Sequence, residues 1–95
     1  MPQRLKDRVA VVSGAGRGIG RAEALALAAE GARVVVNDPG GEKDGTGSSA
    51  APADQVVEEI RQAGGIAVPN YDSVATWEGA ERVIRCALDR FGRLD

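Results

Sequence analysis

Apolar side chains arrive along this chain in short β-branched runs that alternate with longer stretches of helical spacing. Residues 9–12, Val-Ala-Val-Val, end at glycines and have the length and composition of a buried strand. Ile19, Ala22, Leu25, Ala26 and Ala29 then recur at helical intervals, and Gly31 stands where a helix C-cap belongs. Val34, Val35 and Val36 predict a second strand, closed by the turn sequence Asn37-Asp38-Pro39-Gly40. Residues 39–52 are rich in glycine and serine, and a loop that long inside a compact domain usually serves binding or motion. Val56, Val57, Ile60 and Ala63 mark one face of a second helix, with Pro52 near its start and Gly64-Gly65 at its end. Ile66, Ala67 and Val68 predict a third strand. Ala80, Val83, Ile84, Ala87, Leu88 and Phe91 give the cleanest helical stripe, with Thr76 as its N-cap and Gly92 as its stop.

The order is strand, helix, strand, helix, strand, helix. Right-handed crossovers turn that order into an α/β fold, the first half of a doubly wound parallel sheet with strand order 3-2-1. A fourth strand is expected to begin near Arg93-Leu94-Asp95 and to pair with the free edge of the first strand. Without it, residues 9–12 would leave an apolar edge open to aggregation. The expectation is therefore that residues 1–95 are the N-terminal part of one domain; the alternative is a complete, minimal three-layer unit.

Composition narrows the chemistry. Of the 95 residues, 43% are hydrophobic but only 3% are aromatic, so the core must be built from Val, Ile, Leu and Ala. This is the mixture of buried parallel strands under helices. Twelve basic and 14 acidic residues are interspersed, for a net charge of −2, without the basic stripe that nucleic acid requires. With Cys86 the lone cysteine and no histidine, an intrachain disulfide, a Cys-based zinc site and His-dependent nucleophilic catalysis are all excluded. The longest apolar run, residues 24–29, is far too short to span a membrane, and the polar MPQRLKDR start is not a secretory signal. These features predict a cytoplasmic protein.

Between the first strand and first helix lies Ser13-Gly14-Ala15-Gly16-Arg17-Gly18-Ile19-Gly20. A glycine turn feeding a helix N-terminus gathers backbone N–H groups and the positive end of the helix dipole, a site suited to phosphate. The nucleoside-triphosphate pattern GxxxxGK[ST] is absent, and a strict GxGxxG fails because residues 19 and 21 are not glycine. GxxxGxG fits, as Gly14, Gly18 and Gly20. With its setting VAVVSGAGRGIGRAEALALAAEGARVVVND, the loop resembles the short-chain dehydrogenase/reductase family and its Rossmann-type fold. The resemblance implies that Gly14 permits the tight turn, Gly18 the approach of a pyrophosphate and Gly20 close helix packing. It also implies that Ile19 offers its backbone and flanks the nicotinamide side. A glycine turn holding no ligand is the alternative.

Asp38 ends the second strand 20 residues after Gly18, where dinucleotide folds place a carboxylate on the adenosine ribose. It would also serve as a turn initiator before Pro39-Gly40. A 2′-phosphate beside it would face about 4 kcal/mol of repulsion per unit charge pair at 4 Å and an effective dielectric near 20. That is roughly a thousandfold in favour of NAD over NADP. Arg17 argues weakly for NADP, yet it suits solvent or the pyrophosphate equally well. After the third strand, the resemblance places Asp72 at the adenine amino group with Ser73 and Val74 beside it; as a local reading, Asp72 or Ser73 caps the next helix.

The segment NDPGGEKDGTGSSAAPADQVVEEIRQAGG, followed by AVPNYDSV, is similar to the (3R)-hydroxyacyl-CoA dehydrogenase branch found in peroxisomal multifunctional enzyme type 2 and bacterial relatives. Ser13 stands where that family usually has Thr, which keeps the hydroxyl, and Pro39 where an apolar residue is usual. Asp38 selects NAD as the cofactor, and the resemblance implies a secondary-alcohol substrate such as a 3-hydroxyacyl-CoA, a homo-oligomer at full length and, in a eukaryote, a peroxisomal location. Family catalysis uses a Tyr with a Lys four residues later, a Ser and an Asn. Here the lone tyrosine, Tyr71, is followed four residues on by Ala75, so no catalytic residue is assigned within these 95. The substrate would be met by a C-terminal part. A non-catalytic dinucleotide-sensing module and a functionless truncated product are the competing readings. Trp77 reads as packing, Cys86 as inert and off the main stripe, and Glu81 with Arg85 as an i,i+4 pair.

Overall fold

A computed structural model describes residues 4–16, 18–39 and 51–95. The elements run β1 (Val9–Ser13), α1 (Gly18–Ala29), β2 (Arg33–Asn37), α2 (Ala51–Gln62), β3 (Ile66–Asn70) and α3 (Trp77–Phe91). Arg17 and residues 40–50 of the long loop lie outside the described residues.

The strands form one parallel sheet in the order β1-β2-β3, which is 3-2-1 counted from the other edge. Val34, Val35 and Val36 of the central strand are fully buried, because helices cover both of its faces. Each such valine contributes about 1.5–3 kcal/mol of hydrophobic stabilisation. On one face, Val12, Val34 and Val36 pack with Ala24 and Ala28 of α1 and with Val56, Val57 and Ile60 of α2. On the other, Val9, Val35 and Val68 pack with Ala87, Cys86 and Phe91 of α3. Pro69 is tolerated inside β3 because β3 is an edge strand.

That division of helices sets the path of the chain. Two successive right-handed crossovers put α1 and α2 on one face, and α3 crosses the other face back towards β1. Residue 95 arrives at the free edge of β1, where the Asp95 amide donates to the Val9 carbonyl at 2.9 Å. The Val9 amide in turn donates to Asp95 Oδ2 at 2.9 Å. Arg93, then the Val9 amide, pull the Asp95 carboxyl down to about 2.

Thr76 caps α3 by accepting from the Gly79 amide at 3.0 Å, and Gly92 closes the helix in the left-handed region at φ 79°. Thr76→Ala is expected to cost about 1 kcal/mol, read as a lower urea midpoint with an unchanged slope.

Two helix faces differ from the sequence expectation. In α1 the buried positions are Ala24 and Ala28, flanked by Leu25 and Leu27, while Ile19 is 81% exposed. In α3 the buried seam is Gly79, Val83 and Ala87 with Cys86 beside it, whereas Ile84 and Leu88 face outward with Trp77. These three line a groove of about 460 Å³ on the outer side of α3. Among the described residues Arg82, not Arg85, makes the ion pair on this helix, and its partner is Asp72 rather than Glu81.

Candidate dinucleotide-binding site

The register places Ser13, Asn37 and Asn70 side by side at the carboxyl ends of the three strands. Ligands of open α/β sheets bind outside this edge. Gly14 leaves β1 at φ 61° and Gly18 enters α1 at φ 58°, backbone conformations that any side chain would strain. A Cβ at Gly18 would meet nothing within 4 Å among the described residues, which leaves open space there against the helix mouth. The amides of the first turn of α1, Gly18, Ile19 and Gly20 among them, have no acceptor within the helix.

Gly20 serves the packing. A Cβ there would strike the Gly14 carbonyl and come within 3.1 Å of the Ala15 Cα. The loop itself is tied to β2: the Ala15 amide donates to the Asn37 carbonyl at 3.0 Å and the Gly16 amide to Asp38 Oδ2 at 2.9 Å. Asp38 is half-buried, its own amide donates to the Asn70 carbonyl, and its carboxylate is turned towards the glycine loop.

A polar network continues across the edge. Fully buried Asn37 donates through Nδ2 to Asn70 Oδ1 and to the Asp72 carbonyl, each at 2.8 Å, and its Oδ1 has no partner among the described residues. The Asp72 carboxylate accepts from Arg82 Nε at 2.8 Å and from Asn70 Nδ2 at 3.1 Å. Arg82, and to a lesser degree Asn70, hold the Asp72 carboxyl below its ordinary range against the opposing pull of burial. Ser73 Oγ accepts from the Ala75 amide at 3.1 Å, and Val74 is half exposed.

A carboxyl whose folded pKa is depressed stabilises the fold above its unfolded value near 4 and loses that contribution as pH falls below it. Asp72 and Asp95 share this sign. Urea midpoints should therefore fall between pH 5 and pH 2, and Asp72→Asn should make that fall shallower. An equally steep acid limb in the variant would remove Asp72 from the account.

Tyr71 points away from proton-relay chemistry. Its hydroxyl donates to Asp54 Oδ1, and that bond, with burial and the Asp54 charge, raises its pKa. A catalytic tyrosine needs the opposite shift.

Gly14, Gly18, Ile19 and Gly20 thus lie on the turn from β1 into α1, Asp38 is bonded to that turn through Gly16, and Asp72, Ser73 and Val74 follow β3 at the same sheet edge. Asn37, Gly16 and Arg82 were not singled out from sequence. Asn37 had one signal, a polar residue in register with Ser13 and Asn70; Gly16 falls outside GxxxGxG, and Arg82 is one charge among many on α3.

The strand–glycine turn–helix unit, with a carboxylate at the end of the adjacent strand, defines the first half of a Rossmann-type fold. Residues 8–95 match the short chain dehydrogenase family model, and the chain belongs to that family. It is 64% identical over 88 residues to a short-chain type dehydrogenase/reductase of Mycobacterium tuberculosis, covering 93% of this chain and 31% of the relative. It is 54% identical over 94 residues to peroxisomal multifunctional enzyme type 2 of Mus musculus, covering 99% of this chain and 12% of the relative. Among solved structures, a short chain dehydrogenase from Mycobacterium avium superposes with a TM-score of 0.87 at 53% identity, covering 97% of this chain and 33% of that one. A 7α-hydroxysteroid dehydrogenase in complex with NADH and 7-oxo glycochenodeoxycholic acid superposes at 0.85 with 32% identity, covering 98% of this chain and 33% of that one. No helix among the described residues is long and apolar enough to cross a membrane.

Proposed function

We propose that this chain forms the adenosine and pyrophosphate half of the cofactor site in an NAD-dependent oxidoreductase that acts on a secondary alcohol, such as a 3-hydroxyacyl-CoA. The observation that carries the reading is the Asp38 carboxylate facing the glycine loop at the carboxyl end of the sheet. The open space at Gly18 and the donor-rich mouth of α1 fit a diphosphate. In this reading Gly14, Gly18 and Gly20 shape the loop, and Ile19 flanks the nicotinamide side. Asp38 accepts from the ribose hydroxyls, Asp72 meets the adenine amino group, and Ser73 and Val74 line the adenine pocket. Arg17 is assigned to the pyrophosphate or solvent. Bound NAD would supply the hydride acceptor for alcohol oxidation; this chain's residues would bind and orient the half of it remote from that chemistry.

The substrate class rests on the similarity of the segment spanning Asp38 and α2 to the hydroxyacyl-CoA branch, and on the peroxisomal relatives. A longer protein carrying this chain is expected to be homo-oligomeric and to produce NADH from NAD with (3R)-hydroxybutyryl-CoA, read at 340 nm. Absence of turnover with any 3-hydroxyacyl-CoA, alongside turnover of an unrelated alcohol, would overturn the substrate class. A second reading is dinucleotide binding without catalysis; Tyr71, its hydroxyl committed to Asp54, adds no proton relay to either reading. A longer protein that binds NADH and turns over no alcohol would support it.

A further inference from the structure

Gly16 lies where three elements meet. Its amide donates to Asp38 Oδ2, and a Cβ built on it would press against that oxygen and lie 2.5 Å from the Pro52 Cβ at the start of α2. It is not one of the three motif glycines, and its φ is not positive, so backbone conformation does not demand glycine here. What demands it is space. The loop, the carboxylate and α2 close on one point where a methyl group cannot fit, and the same point holds the carboxylate by a charge-assisted hydrogen bond.

We infer that Gly16 is a positioning residue for cofactor discrimination, helping to hold the Asp38 carboxylate where a 2′-phosphate would have to sit. This rests on the proposed dinucleotide reading and adds to it a positioning residue. A carboxylate on a free rotor would swing aside and tolerate the extra phosphate. One held by the loop amide keeps its charge at the ribose. Repulsion between unit charges falls by about tenfold in equilibrium terms when they separate from about 4 Å to about 6 Å at an effective dielectric near 20. Displacing Asp38 by the width of a methyl group should therefore cost roughly one order of magnitude in discrimination.

The test is calorimetric titration of the purified chain with ADP-ribose and with its 2′-phosphate. Wild type is expected to prefer ADP-ribose strongly. Gly16→Ala is expected to shrink that preference about tenfold, through weaker ADP-ribose binding and stronger binding of the phosphorylated ligand. A purely structural defect would weaken both ligands alike and leave the ratio unchanged, and that result overturns the inference. If wild type binds neither ligand, the dinucleotide reading itself falls and this inference falls with it. Should Gly16→Ala not fold, amide exchange decides: slower exchange at Gly16 in wild type than in Asp38→Ala supports the inference, and equal rates overturn it.

Discussion

Gly20→Ala is expected to unseat the glycine loop and lower stability by about 2–4 kcal/mol. The added methyl would meet the Gly14 carbonyl, the Gly14 carbonyl carbon at 2.9 Å and the Ala15 Cα at 3.1 Å, all of them backbone. No rotamer change relieves a backbone clash. The loop cannot retreat cheaply, because the Ala15 amide is bonded to Asn37 and the Gly16 amide to Asp38. Either α1 tilts away from β1, opening the core around Ala24 and Ala28, or those bonds break. Urea denaturation should show a lower midpoint, and ADP-ribose binding should vanish. Gly18→Ala separates packing from ligand: its methyl meets nothing, so the fold should survive the positive φ at a cost of about 1–2 kcal/mol while binding is lost.

Asp38→Ala should leave a folded chain that binds NADH about a hundredfold more weakly, the worth of one or two hydrogen bonds to a charged acceptor. It should also erase most of a preference over NADPH that charge repulsion sets at roughly a thousandfold. The two ligands should thus respond in opposite directions, which distinguishes a ribose contact from general damage to the site. Affinity for both ligands and their ratio staying at wild-type values would reject the role of Asp38.

How much of this was legible in the sequence depends on how much information each side chain carries. The valine runs of β1 and β2 announce buried strands because β-branched side chains fit few other settings. In α3, Thr76 and Gly92 bound the helix as their chemistry predicts. Alanine carries no such mark: α1 has alanines around its circumference, and the stripe through Ala22, Ala26 and Ala29 is not the buried one. Ile84 and Leu88 fit the periodicity of α3 yet lie outside its seam against the sheet, since periodicity names an apolar face but not what touches it. The placement of the motif glycines on the turn from β1 into α1, and of Asp38 just after β2, was legible because spacing along one strand–helix–strand unit fixes it. Gly16, Asn37 and Arg82 were not, because their partners come from other parts of the chain.

The most direct measurement is an amide chemical-shift map of the labelled chain titrated with ADP-ribose. Saturable shifts should gather at Gly14, Gly18, Ile19, Gly20, Asp38, Asp72, Ser73 and Val74, along the carboxyl edge of the sheet. Shifts confined to the outer face of α3, or none with a folded protein at millimolar ligand, would contradict the account.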